Sequence, residues 1–159
     1  ATTFLRGDNA WAAPSGGKVL QVVTATYSTE TVMSSTSFAT SGLSCSITPA
    51  ATANKILILY SGMCRAFDSG SSSGRWYEMR IYRVTDTTEL SVQSTSQVDV
   101  SSGSSQGYAW TQGFTTLDSP STTSSVEYRI DGRVLISAYR LAMNNQASDS
   151  TLTLLEIEG

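Results

Sequence analysis

Apolar residues recur at every second position along most of the chain, and no window of about 11 residues keeps the spacing of an amphipathic helix. A period of two indicates β-strands with one buried face, because side chains on a strand alternate between its two sides. The pattern therefore predicts an all-β protein. Strands are expected at residues 18–27, 43–48, 55–60, 75–84, 108–116, 126–130, 134–141 and 152–157, with further strands around 37–40 and 91–100.

Short stretches of Pro, Gly, Ser, Asp and Asn separate these segments, as expected of turns. Two of the stretches are loops by composition, at 68–74 and 101–107, and Asp131-Gly132 is predicted to be a turn. A single flat sheet would leave one apolar side exposed to water, so the strands are expected to pack as two sheets. About eight strands therefore predict an antiparallel β-sandwich of jelly-roll type. We expect residues 1–17 to be an N-terminal connector that anchors a trimer, and residues 18–159 to be the sandwich domain.

Two strands carry more specific patterns. Residues 55–60 (KILILY) are apolar at every position after the lysine, which predicts a strand covered on both faces, either centrally in a sandwich or by another subunit. In residues 75–84, Tyr77, Met79 and Ile81 form a core face, so Trp76 and the other even-numbered positions face outward.

Composition excludes several classes of protein. The chain has no histidine, which removes the Ser-His-Asp and Cys-His nucleophile systems and the common His-based zinc sites. Its net charge is −3 and its ten Lys and Arg residues are scattered, so nucleic acid is not an expected partner. No apolar run is long enough for a membrane helix, so no membrane insertion is expected. Ser and Thr make up 48 of 159 residues, which predicts a hydroxyl-rich, weakly charged surface.

The sequence begins with Ala-Thr-Thr, which is expected of a processed chain or of a fragment. Cys45 and Cys64 both lie in strand-like runs and are predicted to be reduced, buried thiols. If those two runs formed a hairpin, Cys45 would lie opposite Leu59 and Cys64 opposite Thr40, so the two thiols would not be cross-strand neighbours.

Segments at both ends of the chain resemble a known group of proteins. Phe4-Leu5-Arg6-Gly7-Asp8-Asn9-Ala10-Trp11, followed by Gly16-Gly17-Lys18-Val19-Leu20-Gln21-Val22, resembles a segment that precedes the C-terminal module of tailed-phage fibre proteins. Leu117 to Ser124 and Ser150 to Ile157 are similar to the closing strands of such modules. Residues 42–49 and 55–57 extend the resemblance, whereas residues 67–106 diverge.

This resemblance implies a non-enzymatic phage virion protein, located on the extracellular particle and assembled as a homotrimer with other virion proteins as partners. The favoured hypothesis is the trimeric tip of a fibre that attaches to the host cell surface through a glycan or receptor, with loops 68–74 and 101–107 providing specificity. One alternative is a trimeric capsid decoration protein, also called a cement or head-fibre protein. A second is a monomeric carbohydrate-binding β-sandwich unrelated to phage.

Aromatic and loop residues supply the candidate sites. Sugars stack on aromatic rings and hydrogen-bond to carboxylates, so the candidate glycan or receptor contacts are Trp76, Tyr108, Trp110 and Asp68. Trp76 is the best of these, because the opposite face of its strand is already assigned to the core. The candidate trimer interface comprises Trp11, Ile56, Ile58 and Tyr60.

Catalysis would depend on carboxylates, as in glycosidases. The carboxylates considered are Asp68, Glu78, Asp86, Asp99, Asp118 and Asp131, and no spacing sets any pair of them apart. No calcium-loop, phosphate-loop or dinucleotide motif is present. No catalytic residue, metal or cofactor is therefore expected.

Overall fold

The computed structural model of the chain describes residues 4–5, 7, 11–12, 18–68, 75–97, 108–137, 139–144 and 148–159. Within these residues it contains twelve strands, and it has no helix long and apolar enough to cross a membrane. The strands are β1 (Phe4–Leu5), β2 (Trp11–Ala12), β3 (Val19–Tyr27), β4 (Thr31–Met33), β5 (Ala39–Ile47), β6 (Lys55–Asp68), β7 (Arg75–Arg83), β8 (Thr88–Gln97), β9 (Tyr108–Asp118), β10 (Val126–Val134), β11 (Tyr139–Met143) and β12 (Ser150–Ile157).

Ten of these strands form two antiparallel sheets, and β1 and β2 form a separate short ribbon. The four-stranded sheet has the order β5-β10-β7-β8. In the six-stranded sheet, β6 pairs along one edge with β12 and then with β11, and along its other edge with β9. Strand β3 flanks β12, and β4 flanks β11.

The order of the eight long strands is that of a jelly roll. These strands pair first with last (β3 with β12), second with seventh (β5 with β10), third with sixth (β6 with β9) and fourth with fifth (β7 with β8). These four pairs arise when one long antiparallel hairpin is wrapped around a barrel. The β12-β6 and β10-β7 pairings then join the four pairs into two sheets. The predicted fold class, an antiparallel jelly-roll sandwich, is confirmed.

The sandwich has a terminal end and a distal end. At the terminal end β3 begins and β12 ends, and the Glu158 amide donates a 2.9 Å hydrogen bond to the Lys18 carbonyl. At the distal end β6 stops opposite Tyr139, after 14 residues that span about 45 Å. The chain therefore enters and leaves the sandwich at the same end.

The core lies between the two sheets and follows the predicted alternation. Ile56, Ile58 and Tyr60 of β6 face Tyr77, Met79 and Ile81 of the four-stranded sheet, and all six are at most 3% exposed. The inward face predicted for residues 75–84 is thereby confirmed.

Glycines occupy two places where a side chain would not fit. Gly42 lies in the bulge that β5 forms against β10, with φ +88°, and a Cβ there would lie 2.5 Å from the Tyr27 ring. A side chain at Gly62, at the point where the partner of β6 changes from β12 to β11, would overlap the Tyr60 hydroxyl and Ser150. Both positions require glycine for close approach.

The structure corrects three local predictions. The runs around Cys45 and Cys64 do not form a hairpin, because β5 lies in the four-stranded sheet and β6 in the six-stranded one; both cysteines are nevertheless free and buried, as predicted. Asp131-Gly132 is not a turn but lies inside β10. The strand predicted at 134–141 is interrupted, because residues 135–137 turn between β10 and β11.

The alternation along β6 predicts opposite outcomes for neighbouring positions. Ile58→Asp places an unpaired carboxylate in the core, at a cost of several kcal/mol that removes most of the stability of a domain of this size, so this variant should not fold. Leu59→Asp, one position along on the outward face, should fold. Circular dichroism and thermal unfolding measure both. A folded Ile58→Asp variant would contradict the strand register.

Candidate functional site

Several strand ends and one turn meet at the distal end. Strands β6 and β7 flank residues 69–74, and strands β8 and β9 flank residues 98–107. Register places these strand ends together, because Ala66 is opposite Tyr108 and Arg75 is opposite Gln97. The turn between β10 and β11 belongs to the same end, since Tyr139 pairs with Asp68. The loops 68–74 and 101–107 themselves lie outside the described residues, apart from the backbone of Asp68.

Trp76 lies on the outer face of the four-stranded sheet near the distal end and is 46% exposed. Its carbonyl accepts a 3.0 Å hydrogen bond from the Leu135 amide, which brings the β10-β11 turn beside it. Leu135 and Ile136 in that turn are 39% and 45% exposed. These three residues are called the distal patch. No sequence pattern indicates Leu135 and Ile136 as surface residues, because their apolar character predicts the interior of a strand at 134–141.

Trp110 has a different environment from Trp76. It points inward from β9, stacks on Tyr77 with 4.9 Å between ring centroids, and donates a 3.2 Å hydrogen bond from Nε1 to Gln112. One face of its ring is therefore occupied by a core residue. The structure does not bring Trp110 onto the surface that presents Trp76. The side chains of Tyr108, Asp68 and Trp11 lie outside the described residues.

The three β6 residues of the predicted trimer interface all point into the chain's own core. Ile56 and Ile58 are 0% exposed and Tyr60 is 3% exposed, so none of them can contact a second copy in this fold. The outward positions of the same strand are Leu57 and Leu59, which are half-buried. Both faces of residues 55–60 are thus apolar, as the sequence predicts, but Ile56, Ile58 and Tyr60 lie on the inward face.

An arginine network covers the outer face of the four-stranded sheet. Asp131, 0% exposed, accepts hydrogen bonds from Arg80 (2.9 Å) and Arg129 (2.6 Å), and Arg80 also donates to Glu89 at 3.0 Å. The Arg80 guanidinium lies 4.2 Å from the ring centroids of both Phe38 and Tyr82. Tyr82 is a neighbour on β7, but Phe38 and Asp131 are 42 and 51 residues from Arg80 in sequence and Glu89 lies on β8, so no local motif indicates the network.

The same face holds a second ion pair. Arg133 donates to Glu78 at 2.7 Å, and Ser94 donates to the other Glu78 oxygen at 2.8 Å. Burial by itself would raise the pKa of Glu78, but the hydrogen bonds from Ser94 and Arg133 lower it below its ordinary value. With three arginines against three carboxylates (Glu78, Glu89 and Asp131), the network is balanced in charge.

The remaining carboxylates of the described residues considered for catalysis are also paired with arginine. Arg83 donates to Asp86 at 2.8 Å and to Asp118 at 2.7 Å, and Asp118 accepts a further 2.7 Å bond from Tyr128. The bond from Arg83 is the main cause that lowers the pKa of Asp86. No group of three or more metal-ligating side chains occurs in the part of the chain that the structure describes. Asp99 lies outside that part.

Glu156, which no sequence pattern indicates, is a buried carboxylate whose hydrogen-bond donors among the described residues are neutral. It is 0% exposed and accepts three 2.6 Å hydrogen bonds, from the Gln21 and Asn54 side chains and from the Ala50 amide. Burial would raise its pKa, but these hydrogen bonds together lower it. Asn54 Oδ1 also accepts a bond from the Gly159 amide, so the cluster fastens the C-terminus to the 48–54 turn.

Comparison with known proteins gives no family: no protein-family model and no curated protein matches the chain. Solved structures with some similarity come from infectious bursal disease virus. The VP2 subviral particle is 11% identical with a TM-score of 0.41, over 86% of this chain and 38% of that one. The T13 viral particle is 11% identical with a TM-score of 0.42, over 99% of this chain and 42% of that one.

The chain thus spans less than half the length of those viral chains. Identity and TM-score are both too low for these similarities to indicate a shared function. The class to which the chain belongs, an eight-stranded antiparallel jelly roll with two short added strands, is defined by its own strand order.

The Glu156 cluster predicts a pH-dependent stability. Because the folded state lowers the pKa of Glu156, its contribution is fully present above the ordinary value near 4.5 and is lost as pH falls through the lower, folded value. Glu156→Gln should therefore reduce the free energy of unfolding by about 1–3 kcal/mol at neutral pH, and the difference from wild type should shrink below pH 4.5.

Urea unfolding between pH 3 and pH 7 measures this difference, with the exposed Glu158→Gln as the matched control that should change nothing. A difference that stayed constant with pH would show that Glu156 acts by packing and not as an ionised acceptor.

Proposed function

We propose that the chain is a non-enzymatic structural module of a virus particle that assembles as a homotrimer and attaches the particle to a host cell through its distal end. The observation that carries this proposal is the separation of the two ends. Residue 18 and the C-terminus lie at the terminal end, so a preceding connector joins the sandwich there. The exposed Trp76, Leu135 and Ile136 lie near the other end, about 45 Å away along β6.

Chemistry at the distal end supports attachment to a glycan. Trp76 presents an exposed indole beside the Glu78-Arg133 pair and Ser94. A sugar ring can stack its apolar face on the indole while its hydroxyl groups form hydrogen bonds with the neighbouring polar side chains. The apolar turn next to Trp76 enlarges the contact. Asp68, Tyr108 and the loops that contain or adjoin them belong to this proposal as well, because their strands end at the same place.

The state of the carboxylates supports a role without catalysis. A general acid that works near neutral pH needs a raised pKa, whereas the hydrogen bonds from Ser94 and Arg133 lower the pKa of Glu78, and the bond from Arg83 lowers the pKa of Asp86. Asp118 forms an ion pair with Arg83, and Asp131 forms one with Arg80. The resemblance of the N-terminal and C-terminal segments to tailed-phage fibre modules supports a virion location and the fibre tip in particular.

The first test is the native mass in solution, measured by light scattering on a size-exclusion column. We expect three times the 16.9 kDa chain mass. A mass of one chain at micromolar concentration would contradict the trimer and favour a monomeric carbohydrate-binding sandwich.

The second test is the binding of the chain to an array of bacterial surface polysaccharides. Trp76→Ala should weaken binding about tenfold, because the indole supplies the largest exposed aromatic surface of the patch. The matched control is Val92→Ala, an exposed apolar residue on the same sheet face but farther from the distal end, and it should bind as wild type does. If Trp76→Ala binds as the wild type does, attachment at this site is contradicted. If the wild-type chain binds no polysaccharide but binds to intact capsids, the capsid decoration protein is favoured.

A further inference from the structure

The outer face of the six-stranded sheet carries a continuous apolar row. Val22, Leu155, Leu57 and Leu117 are direct cross-strand neighbours on β3, β12, β6 and β9. The two edge residues of the row, Val22 and Leu117, are 57% and 52% exposed, and the two central residues are half-buried. In the single chain, nothing among the described residues covers this row.

Two further rows beside it contain no charged residue. The next row toward the distal end is Thr24, Thr153, Leu59 and Thr115, and the one after it is Thr26, Thr151, Ser61 and Gly113. The opposite outer face of the sandwich, by contrast, holds the whole arginine network. These three rows, called the uncharged face, lie between Lys55, which pairs with Ile157 at the terminal edge, and Arg65 farther toward the distal end.

Such a face differs from an ordinary solvated one. A sheet face in contact with water is usually polar, whereas depletion of charge with an apolar centre is typical of the core of a protein interface. Three rows about 6.8 Å apart on four strands about 4.8 Å apart present roughly 400 Å² in projection. A standard interface takes about 800 Å² from each partner, so the uncharged face can supply about half of one.

We propose that this uncharged face is the surface by which copies of the chain associate, and that in the trimer each copy turns it toward the threefold axis. The proposal rests on the homotrimer of the proposed function and names its contact surface. A second copy is the occupant that fits, because three identical Val-Leu rows converging on an axis bury one another without any charge that would need a partner. Leu57 and Leu59 then replace Ile56, Ile58 and Tyr60 as the β6 residues of the interface.

The test introduces a charge at each end of the row. Val22→Glu and Leu117→Glu alter side chains that are more than half exposed in the single chain, so the fold should survive, which circular dichroism checks. In a trimer both changes bury an unpaired carboxylate. The matched control is Val32→Glu, a similarly exposed valine (49%) on the same sheet face, aligned with Arg65 and about 27 Å from the Leu57 row.

We expect Val22→Glu and Leu117→Glu to give the mass of one chain at concentrations where the wild type and Val32→Glu give the mass of three. If the two variants remain trimers as stable as the wild type, this surface assignment is wrong while the trimer itself stands. A wild-type mass of one or two chains would overturn both the surface assignment and the trimer. Attachment through Trp76 is measured independently by the polysaccharide array and is not affected by that result.

Discussion

The antiparallel pairing of β6 is the constraint on which the rest of the structure depends. This strand is 14 residues long, longer than any segment that pairs with it, and it holds β9 along one edge and β12 and β11 in succession along the other. Strict alternation along it sends Ile56, Ile58 and Tyr60 into the core and Leu57 and Leu59 outward. A shift of one residue would exchange these two sets, so the core and the proposed contact face are fixed together.

The two outer faces of the sandwich differ in the side chains that they present to water. On the four-stranded sheet, arginines lie over aromatic rings and over buried carboxylates, so that a charged layer covers the strands and its own charges are paired. On the six-stranded sheet, hydroxyl groups flank an apolar row. In the proposed trimer this division leaves the paired charges on the outer surface, in contact with water, and places the uncharged rows at the contact between copies.

Attachment and assembly are proposed for different parts of the molecule. The Glu156 cluster fastens the C-terminal strand, the 48–54 turn and β3 at the terminal end, next to the point at which residues 1–17 join the domain. The distal patch lies at the far end of the long strands. In the proposed attachment module, the contact with a host and the connection to the rest of the particle therefore lie at opposite ends of the sandwich.

The sequence by itself determined the fold class, most strand positions and the inward face of β7, because a period of two in hydrophobicity follows directly from strand geometry and needs no knowledge of partners. It also determined that Cys45 and Cys64 are buried thiols and that Trp76 faces outward. Which strands are neighbours was decided only by the tertiary structure: the two cysteine runs lie in different sheets and form no hairpin. Asp131-Gly132 lies inside β10, where the distant Arg80 of β7 and the nearby Arg129 both pair with the aspartate. The apolar row across four strands was hidden for the same reason, since its members are joined by register across more than 130 residues of sequence and by no local pattern.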